Sequence, residues 1–234
     1  MDNDIMKERR VSEEACAELP KWYSAKLHLA LNVGGTALAA AAAFATSRGV
    51  TPLARVATIA GTALFSNAVE WAVHRFPMHR RFKFLEPVFD SHVRRHHAAL
   101  TPRRMGIERW DELSFVLFGK WEIAGLAAIG LISAGALAAA FGPEVALTAL
   151  GTEAAYIAAY ELLHLAYHLT KDHPIRKLLP LEGLAEHHLR HHDLGLMGKW
   201  NFNITVPLMD MLMKTRITDA AYALWRQRHK LKLS

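Results

Sequence analysis

The chain has 234 residues, a length typical of one domain, and a formal net charge of +6 from 28 lysines and arginines against 22 acidic residues. A basic chain can bind nucleic acid, face an anionic membrane surface or form the cytoplasmic loops of a membrane protein. Several apolar runs of about 20 residues, the length that crosses a bilayer, favour a membrane protein and argue against nucleic acid as a partner. A lone cysteine, Cys16, excludes a disulfide framework within the chain.

The first 26 residues mix acidic and basic side chains, which is atypical of a secretory signal peptide. We expect residues 1–26 to be a charged cytoplasmic N-terminal segment. Residues 27–234 are then expected to form a single membrane domain, whose first apolar helix is retained as an anchor.

Four membrane helices are predicted, in two hairpins, so the expected fold class is all-α. The first two cover roughly residues 27–46 and 53–73, and the third covers residues 123–141, which are uncharged and end at the helix-breaking pair Gly142-Pro143. The fourth runs from about residue 145 to residue 168. Ionisable side chains interrupt it, and because such groups are costly in hydrocarbon, it is either a functional membrane helix or a buried soluble one.

Basic residues predict the topology of these helices. Ten lysines and arginines lie between the second and third helices, whereas the turn at residues 142–144 has none. Loops with such an excess are usually cytoplasmic. We therefore expect an integral, multi-pass protein with both termini in the cytoplasm. Residues 75–120 and 169–234 would form a cytoplasmic helical cap that carries most of the histidines.

Eleven of the 14 histidines fall in four short groups. These are His74 and His79; His92, His96 and His97; His164 and His168; and His187, His188, His191 and His192. Residues three or four apart on a helix share a face, so each of the last three groups presents at least two imidazoles to one side and could bind a metal ion as it stands. Residues five apart diverge on a straight helix, but a break at Pro77 would let His74 and His79 converge.

The number of histidines indicates two metal ions. A structural zinc site has about four ligands and is usually rich in cysteine, so ten histidines exceed one such site. Imidazole binds Fe, Zn, Cu and Ni, and the ligand type therefore leaves the metal open. Nearby acidic residues are candidates for orienting the rings, although each is equally explained as a surface carboxylate: Glu70, Asp90, Glu161, Glu186 and Asp193.

The four groups, His74-x4-His79, His92-x3-His96-His97, His164-x3-His168 and His188-x2-His191-His192, resemble in order and spacing the pattern of the fatty acid hydroxylase/sterol desaturase superfamily of membrane di-iron oxygenases. Residues 201–210, NFNITVPLMD, resemble the segment that follows the last histidine group in that family. The resemblance covers most of the chain from about residue 60 to residue 216. Four groups in this order form a specific pattern, whereas one group alone would be weak evidence.

The resemblance implies two iron ions, for which zinc could substitute, and molecular oxygen as co-substrate. It also implies a lipid substrate from the bilayer and electrons from a separate protein of the cytochrome b5 or ferredoxin type. Ten metal ligands are carried over from the pattern: His74, His79, His92, His96, His97, His164, His168, His188, His191 and His192. His187 competes with His188 for one position, and His173 is a candidate peripheral ligand.

The tail departs from the family pattern. Where the family commonly has Trp-Asp followed by Phe-Gly-Thr, this chain has Met209-Asp210 and then Met213-Lys214-Thr215, which argues against a close relation to the sphingolipid 2-hydroxylases. The expected activity is hydroxylation of a C–H bond on a lipid, such as a fatty acyl chain. Alternatives are a desaturase, a sterol or carotenoid hydroxylase, a histidine-rich metal transport or storage protein, and a structural zinc protein without catalysis.

Overall fold

The fold is known from a computed structural model that describes residues 3–170, 172–177 and 181–229, and every regular element in these ranges is a helix. The all-α prediction is confirmed for this part of the chain. The helices are α1 (Asn3–Ala17), α2 (Ala25–Thr46), α3 (Pro52–Met78), α4 (Glu86–Phe89 continued by Asp90–His97), α5 (Trp110–Glu112 continued by Leu113–Val116), α6 (Lys120–Phe141), α7 (Pro143–Tyr167), α8 (Pro174–Lys177), α9 (Glu182–His191), α10 (Leu208–Leu212) and α11 (Asp219–Arg228).

Three of the described helices, α2, α3 and α6, are long and apolar enough to cross a membrane. They coincide with the first three predicted spans, and α6 begins at Lys120, slightly earlier than expected. Helix α7 has 25 residues, which is long enough at about 1.5 Å per residue, but it is not among the helices of sufficient apolarity. Of the four predicted spans, three are therefore confirmed by length and composition.

Helix α7 lies at the centre of the bundle, where it packs against α2, α3 and α6. Its contact with α2 depends on Gly151, because a side chain at this position would lie 3.2 Å from Cβ of Ala43 and 3.3 Å from the carbonyl oxygen of Ala40. Two ionisable side chains of α7, Glu161 and His164, are buried inside the protein. Glu144, at the start of α7, is exposed, whereas the ionisable residues near the other end of the helix face protein.

The turn between α6 and α7 follows the predicted break. Gly142 adopts a φ of +92°, a conformation that side-chain-bearing residues rarely adopt, and it ends α6. Pro143 then occupies the first turn of α7, where its missing N–H costs no helical hydrogen bond. The two helices therefore form a tight hairpin.

The N-terminal helix α1 packs on α4 and α5. The Ser12 hydroxyl donates to the Glu112 carboxylate at 2.6 Å, and the Thr101 hydroxyl donates to Glu8 at 2.6 Å. Glu112 also forms a buried ion pair with Arg104 at 2.5 Å. The charged N-terminal segment is in this way joined to the cap that carries the histidines.

Residues 201–215 lie along one side of α3 and include little helix. The Asn67 side-chain amide donates to the Val206 carbonyl at 2.9 Å, and the Trp71 indole donates to the Thr215 hydroxyl at 3.0 Å. Irregular backbone beside a membrane helix needs protein partners because lipid supplies none. Asn67 and its neighbours on α3 provide them, and we call residues 201–215 the tail segment.

Candidate metal centre

All ten predicted ligands converge in two clusters of five, within each of which the ligand atoms lie no more than 4.8 Å apart. Each cluster could hold a metal ion. The first histidine group is His74, His79, His92, His97 and His191, and the second histidine group is His96, His164, His168, His188 and His192. All ten side chains are buried except that of His79, which is partly exposed.

A change of helix type explains how the first group forms. His74–Met78 and Asp90–His97 are π-helical, and in a π-helix the residue five positions ahead takes the next place on the same side. His74 is thereby aligned with His79, and His92 with His97. Pro77, where a break between His74 and His79 was expected, lies inside the first π-helical segment, and Asp90–His97 is π-helical without a proline.

The four sequence groups, each of which could bind a metal by its spacing, do not correspond to the two histidine groups of the structure. His92 and His96, which were predicted to share a face, belong to different histidine groups. The α-helical spacing of four residues does hold in the second group, where it pairs His164 with His168 and His188 with His192. His191 turns to the first group instead. Both histidine groups consequently draw ligands from three or more segments of the chain.

Separations between ligand atoms indicate the coordination geometry that the groups would support. Two nitrogens that each lie about 2.1 Å from one ion are about 3.0 Å apart at a right angle and about 3.4 Å apart at a tetrahedral angle. In the first group, the Nε2 atoms are 2.9 Å apart for His74–His92, 3.0 Å for His79–His191, and 3.1 Å for His79–His92 and His92–His97. In the second group, they are 2.9 Å apart for His188–His192, 3.0 Å for His168–His188, 3.1 Å for His96–His192 and 3.2 Å for His164–His168. Separations near 3 Å are compatible with nitrogens that share one ion, so each histidine group fits a single metal ion.

Backbone carbonyls, rather than carboxylates, orient several of the rings. The Nδ1 atom donates to a carbonyl oxygen in four cases: His74 to Phe202, His191 to Trp200 (2.8 Å), His168 to Met105 (2.8 Å) and His192 to Leu100 (2.5 Å). A proton on Nδ1 leaves a lone pair on Nε2, the atom that faces the other histidines. Lone pairs about 3 Å apart repel unless a cation lies between them, so the donor set fits a bound metal.

The acidic residues that were predicted to orient the rings act elsewhere. Glu70 accepts hydrogen bonds from the backbone N–H groups of Ile204 and Thr205, the second at 3.0 Å. Glu161 accepts from the Asn32 side chain at 2.7 Å and from the Phe118 N–H at 2.9 Å. Asp90 pairs with Arg94, and Asp193 accepts from the Gly195 N–H. Within the described residues, none of these, nor Glu186, hydrogen-bonds to a histidine of either group.

Asp210 is the acidic residue that supports the site, and the sequence reasoning overlooked it. Its fully buried carboxylate accepts from the backbone N–H groups of Phe202 (3.0 Å) and Asn203 (2.8 Å), and from the Thr215 hydroxyl (2.6 Å). His187 lies 3.1 Å from the same carboxylate. Burial acts to raise the pKa of Asp210, but these hydrogen bonds outweigh it, and the pKa is held below its usual range.

Two candidate ligands from the sequence, His187 and His173, lie outside both histidine groups. His187, the rival of His188, is directed at Asp210 and lies outside both histidine groups. His173, the candidate peripheral ligand, also lies outside them, and its Nδ1 accepts the Ile175 N–H at 3.3 Å. In the sequence, Asp210 ends the stretch 201–210 that resembles the segment after the last histidine group of the superfamily, but that resemblance assigned no role to its carboxylate.

An apolar cavity of about 320 Å³ reaches the first histidine group. Its walls come from α3, α6 and α7, and His74 and Met78 lie at one end together with Phe118 and Tyr160. Phe118 and Tyr160 stack with ring centroids 4.5 Å apart. The cavity extends along the three helices away from the histidines, and its walls are almost entirely hydrocarbon.

Burial keeps the histidines in the form that binds metal. For seven histidines outside the membrane-spanning helices, loss of hydration, and next the repulsion of neighbouring imidazoles, lowers the pKa well below its ordinary value: His79, His92, His96, His97, His188, His191 and His192. These side chains are therefore neutral near pH 7, and only neutral imidazole coordinates a metal.

A pH dependence of stability follows for the protein stripped of metal. The unfolded chain binds protons at histidine below a pKa of about 6.5, whereas the folded chain does not, so folded stability falls as the pH drops below that value. Each buried histidine can contribute up to about 1.4 kcal/mol per pH unit. We expect the melting temperature of chelator-treated protein to fall steeply between about pH 6.5 and pH 5. A melting temperature that stays constant over this interval would contradict the neutral, buried state of the histidines.

Comparison with known proteins identifies no relative: no family model, no curated protein and no solved structure matches the chain.

Proposed function

We propose that the protein is a membrane-bound oxygenase with two iron ions that hydroxylates a C–H bond of a lipid. The observation that carries the proposal is the contact, at His74, between an apolar cavity among the long apolar helices and the first of two five-histidine groups. The order of the four sequence groups, which resembles that of the fatty acid hydroxylase/sterol desaturase superfamily, supports the same activity.

Iron is proposed on the resemblance to the di-iron superfamily, because imidazole ligands alone leave the metal open. A structural zinc ion has about four ligands, whereas each histidine group offers five nitrogens. All ten histidines would be ligands, five to each ion. Iron bound there would supply the activation of molecular oxygen.

The protein's own residues would position the substrate and exclude water. An apolar chain in the cavity gains about 25 cal/mol for each Å² that it removes from water, and this holds it without any charged contact. Its end would lie between His74 and the stacked rings of Phe118 and Tyr160. The C–H bonds nearest His74 are then the ones exposed to oxidation.

In the overall reaction, one oxygen atom enters the C–H bond and the other leaves as water, which consumes two electrons and two protons. The electrons would come from a separate cytochrome b5-like or ferredoxin-like protein on the cytoplasmic side. We place both termini on that side and count α7 as a fourth span, because its buried polar residues face the neighbouring helices instead of lipid.

The test is untargeted mass spectrometry of lipids from cells with and without the protein, with a competent electron donor present. We expect a lipid that gains one oxygen atom. A lipid that instead loses two hydrogens would identify a desaturase, which begins with the same attack on a C–H bond. Unchanged lipids, together with purified protein that contains labile zinc and no iron, would overturn the proposal in favour of metal transport or storage.

A further inference from the structure

The cavity has two ends. One lies at His74, and the other, which we call the inner end, lies between α6 and α7. Residues there include Gly130, Leu131, Leu150 and Glu153. On α7, Glu153 precedes Tyr160 by seven residues and His164 by eleven, which places it about 10 to 16 Å along the helix from the histidine end. A carboxyl group thus lies at the far end of a cavity whose walls are mostly hydrocarbon.

The structure makes room for this carboxyl group on the surface of α6. A Cβ atom at Gly130 would lie 2.5 Å from Oε2 of Glu153, so a side chain at residue 130 would displace it. The Ser133 hydroxyl donates to Oε1 of Glu153 at 2.7 Å, and the Gly130 carbonyl competes for the same proton at 2.9 Å. Glu153 is held at the cavity wall by one shared hydrogen bond.

Two other carboxyl groups of the helix bundle have more hydrogen bonds. Glu70 accepts from two backbone N–H groups and from the hydroxyls of Thr205 (2.6 Å) and Tyr156 (2.5 Å). Glu161 accepts from a side-chain amide and a backbone N–H. Within the described residues, Glu153 has only Ser133, and it is partly accessible from the cavity. A carboxyl group at membrane depth is costly, and this one has hydrogen-bonding capacity left for a ligand.

We infer that Glu153, assisted by Ser133, is a polar subsite that binds a hydroxyl or a similar uncharged hydrogen-bonding group of the substrate. That the bound molecule is a substrate rests on the proposed function. The subsite narrows that substrate to a lipid chain that carries such a group about 10 to 16 Å from the carbon presented to His74. At about 1.2 Å per bond in an extended chain, this is about 8 to 13 bonds. The alternative is that Glu153 only links α6 to α7.

Photolabelling of the purified full-length protein with two long-chain alcohols tests the subsite. In one probe a diazirine lies about ten bonds, or about 12 Å, from the hydroxyl, and in the other about two bonds. With the hydroxyl at Glu153, the first probe is expected to label the histidine end, at Phe118, Tyr160 or Met78. The second is expected to label the inner end, at Leu131 or Leu150. A matched hydrocarbon probe without the hydroxyl should label both ends equally.

In Glu153→Leu, the two alcohols are expected to label the same residues. Labelling should also weaken about tenfold, the effect of one lost hydrogen bond. Glu144→Leu, an exposed glutamate at the start of α7, is the control and should behave like the unmodified protein. Equal labelling patterns for the two alcohols in the unmodified protein, or an orientation retained in Glu153→Leu, would overturn the subsite.

The hydrocarbon probe keeps the inference testable should Glu153→Leu fail to fold, because it removes the hydroxyl from the ligand and leaves the protein intact. An alcohol labelling pattern that the hydrocarbon reproduces would overturn the subsite. Labelling requires no turnover, so its result is independent of lipid oxygenation. Oriented labelling with unchanged cellular lipids would support the subsite and refute the oxygenase. Oxygenated lipids without oriented labelling would support the oxygenase and refute the subsite.

Discussion

His96→Ala is expected to release metal from the second histidine group, and His97→Ala from the first. The two residues are neighbours in sequence, yet the π-helical turn of Asp90–His97 directs them to different groups. Loss of an orienting contact to a ligand typically weakens metal affinity 10- to 100-fold, and loss of the ligand itself is expected to reach at least the upper end of that range, about 100-fold. Each variant should therefore retain about one of two ions after dialysis.

Elemental analysis of the purified variants measures this directly. His173→Ala is the matched control, because His173 lies outside both groups, and it should keep both ions. Lipid oxygenation should be lost in His96→Ala and in His97→Ala alike if the two ions act together. The partition into two groups would be refuted if either single variant lost both ions while the other lost none.

Asp210→Ala is expected to destabilise the protein by about 3 to 5 kcal/mol and to release metal first from the first histidine group. The substitution leaves four buried donors without their acceptor, and each unsatisfied group costs about 1 to 3 kcal/mol, although such costs are not additive. Because the Phe202 carbonyl orients His74, loss of the Phe202 contact to Asp210 should loosen that ligand. Within the described residues, no ring of the second histidine group donates to a backbone carbonyl of the tail segment.

Chemical unfolding and metal analysis together test the role of Asp210. Asp219→Asn is the control, since Asp219 is almost fully exposed and its ion pair with Arg190 contributes little. Asp210→Asn should have an intermediate effect, because its amide nitrogen cannot accept the hydrogen bonds of the oxygen that it replaces. Equal metal loss from both histidine groups in Asp210→Ala would show that the carboxylate acts on overall folding alone.

Much of this architecture is predictable from local patterns. Long uncharged runs give α2 and α6, and Gly142-Pro143 gives the turn into α7, because each depends on residues close together in sequence. The ten histidines were also predictable, since their spacing is unusual and their number is large. Helix α7 was harder, because its buried glutamates are compatible with either a membrane helix or a soluble core.

The assignment of histidines to two groups was not predictable in the same way. In an α-helix, His92 and His96 would lie on one side and His97 on another, whereas in the π-helix His92 is aligned with His97. Which helix type forms depends on packing against distant segments. The carbonyls that orient His168 and His192 lie 63 and 92 residues away in sequence. Every residue has a carbonyl, so no side-chain pattern identifies the ones that matter.

The tail segment has a consequence for the order in which the protein is made. His74, His79, His92 and His97 leave the ribosome long before His191 and the carbonyl of Phe202, which complete and orient their group. Membrane helices α2 and α3 are therefore synthesised while the first histidine group still lacks its last ligand. That group is complete and oriented only after residues up to 202 have been synthesised and the tail segment has packed on α3, so complete metal loading of the first histidine group follows the synthesis of these residues.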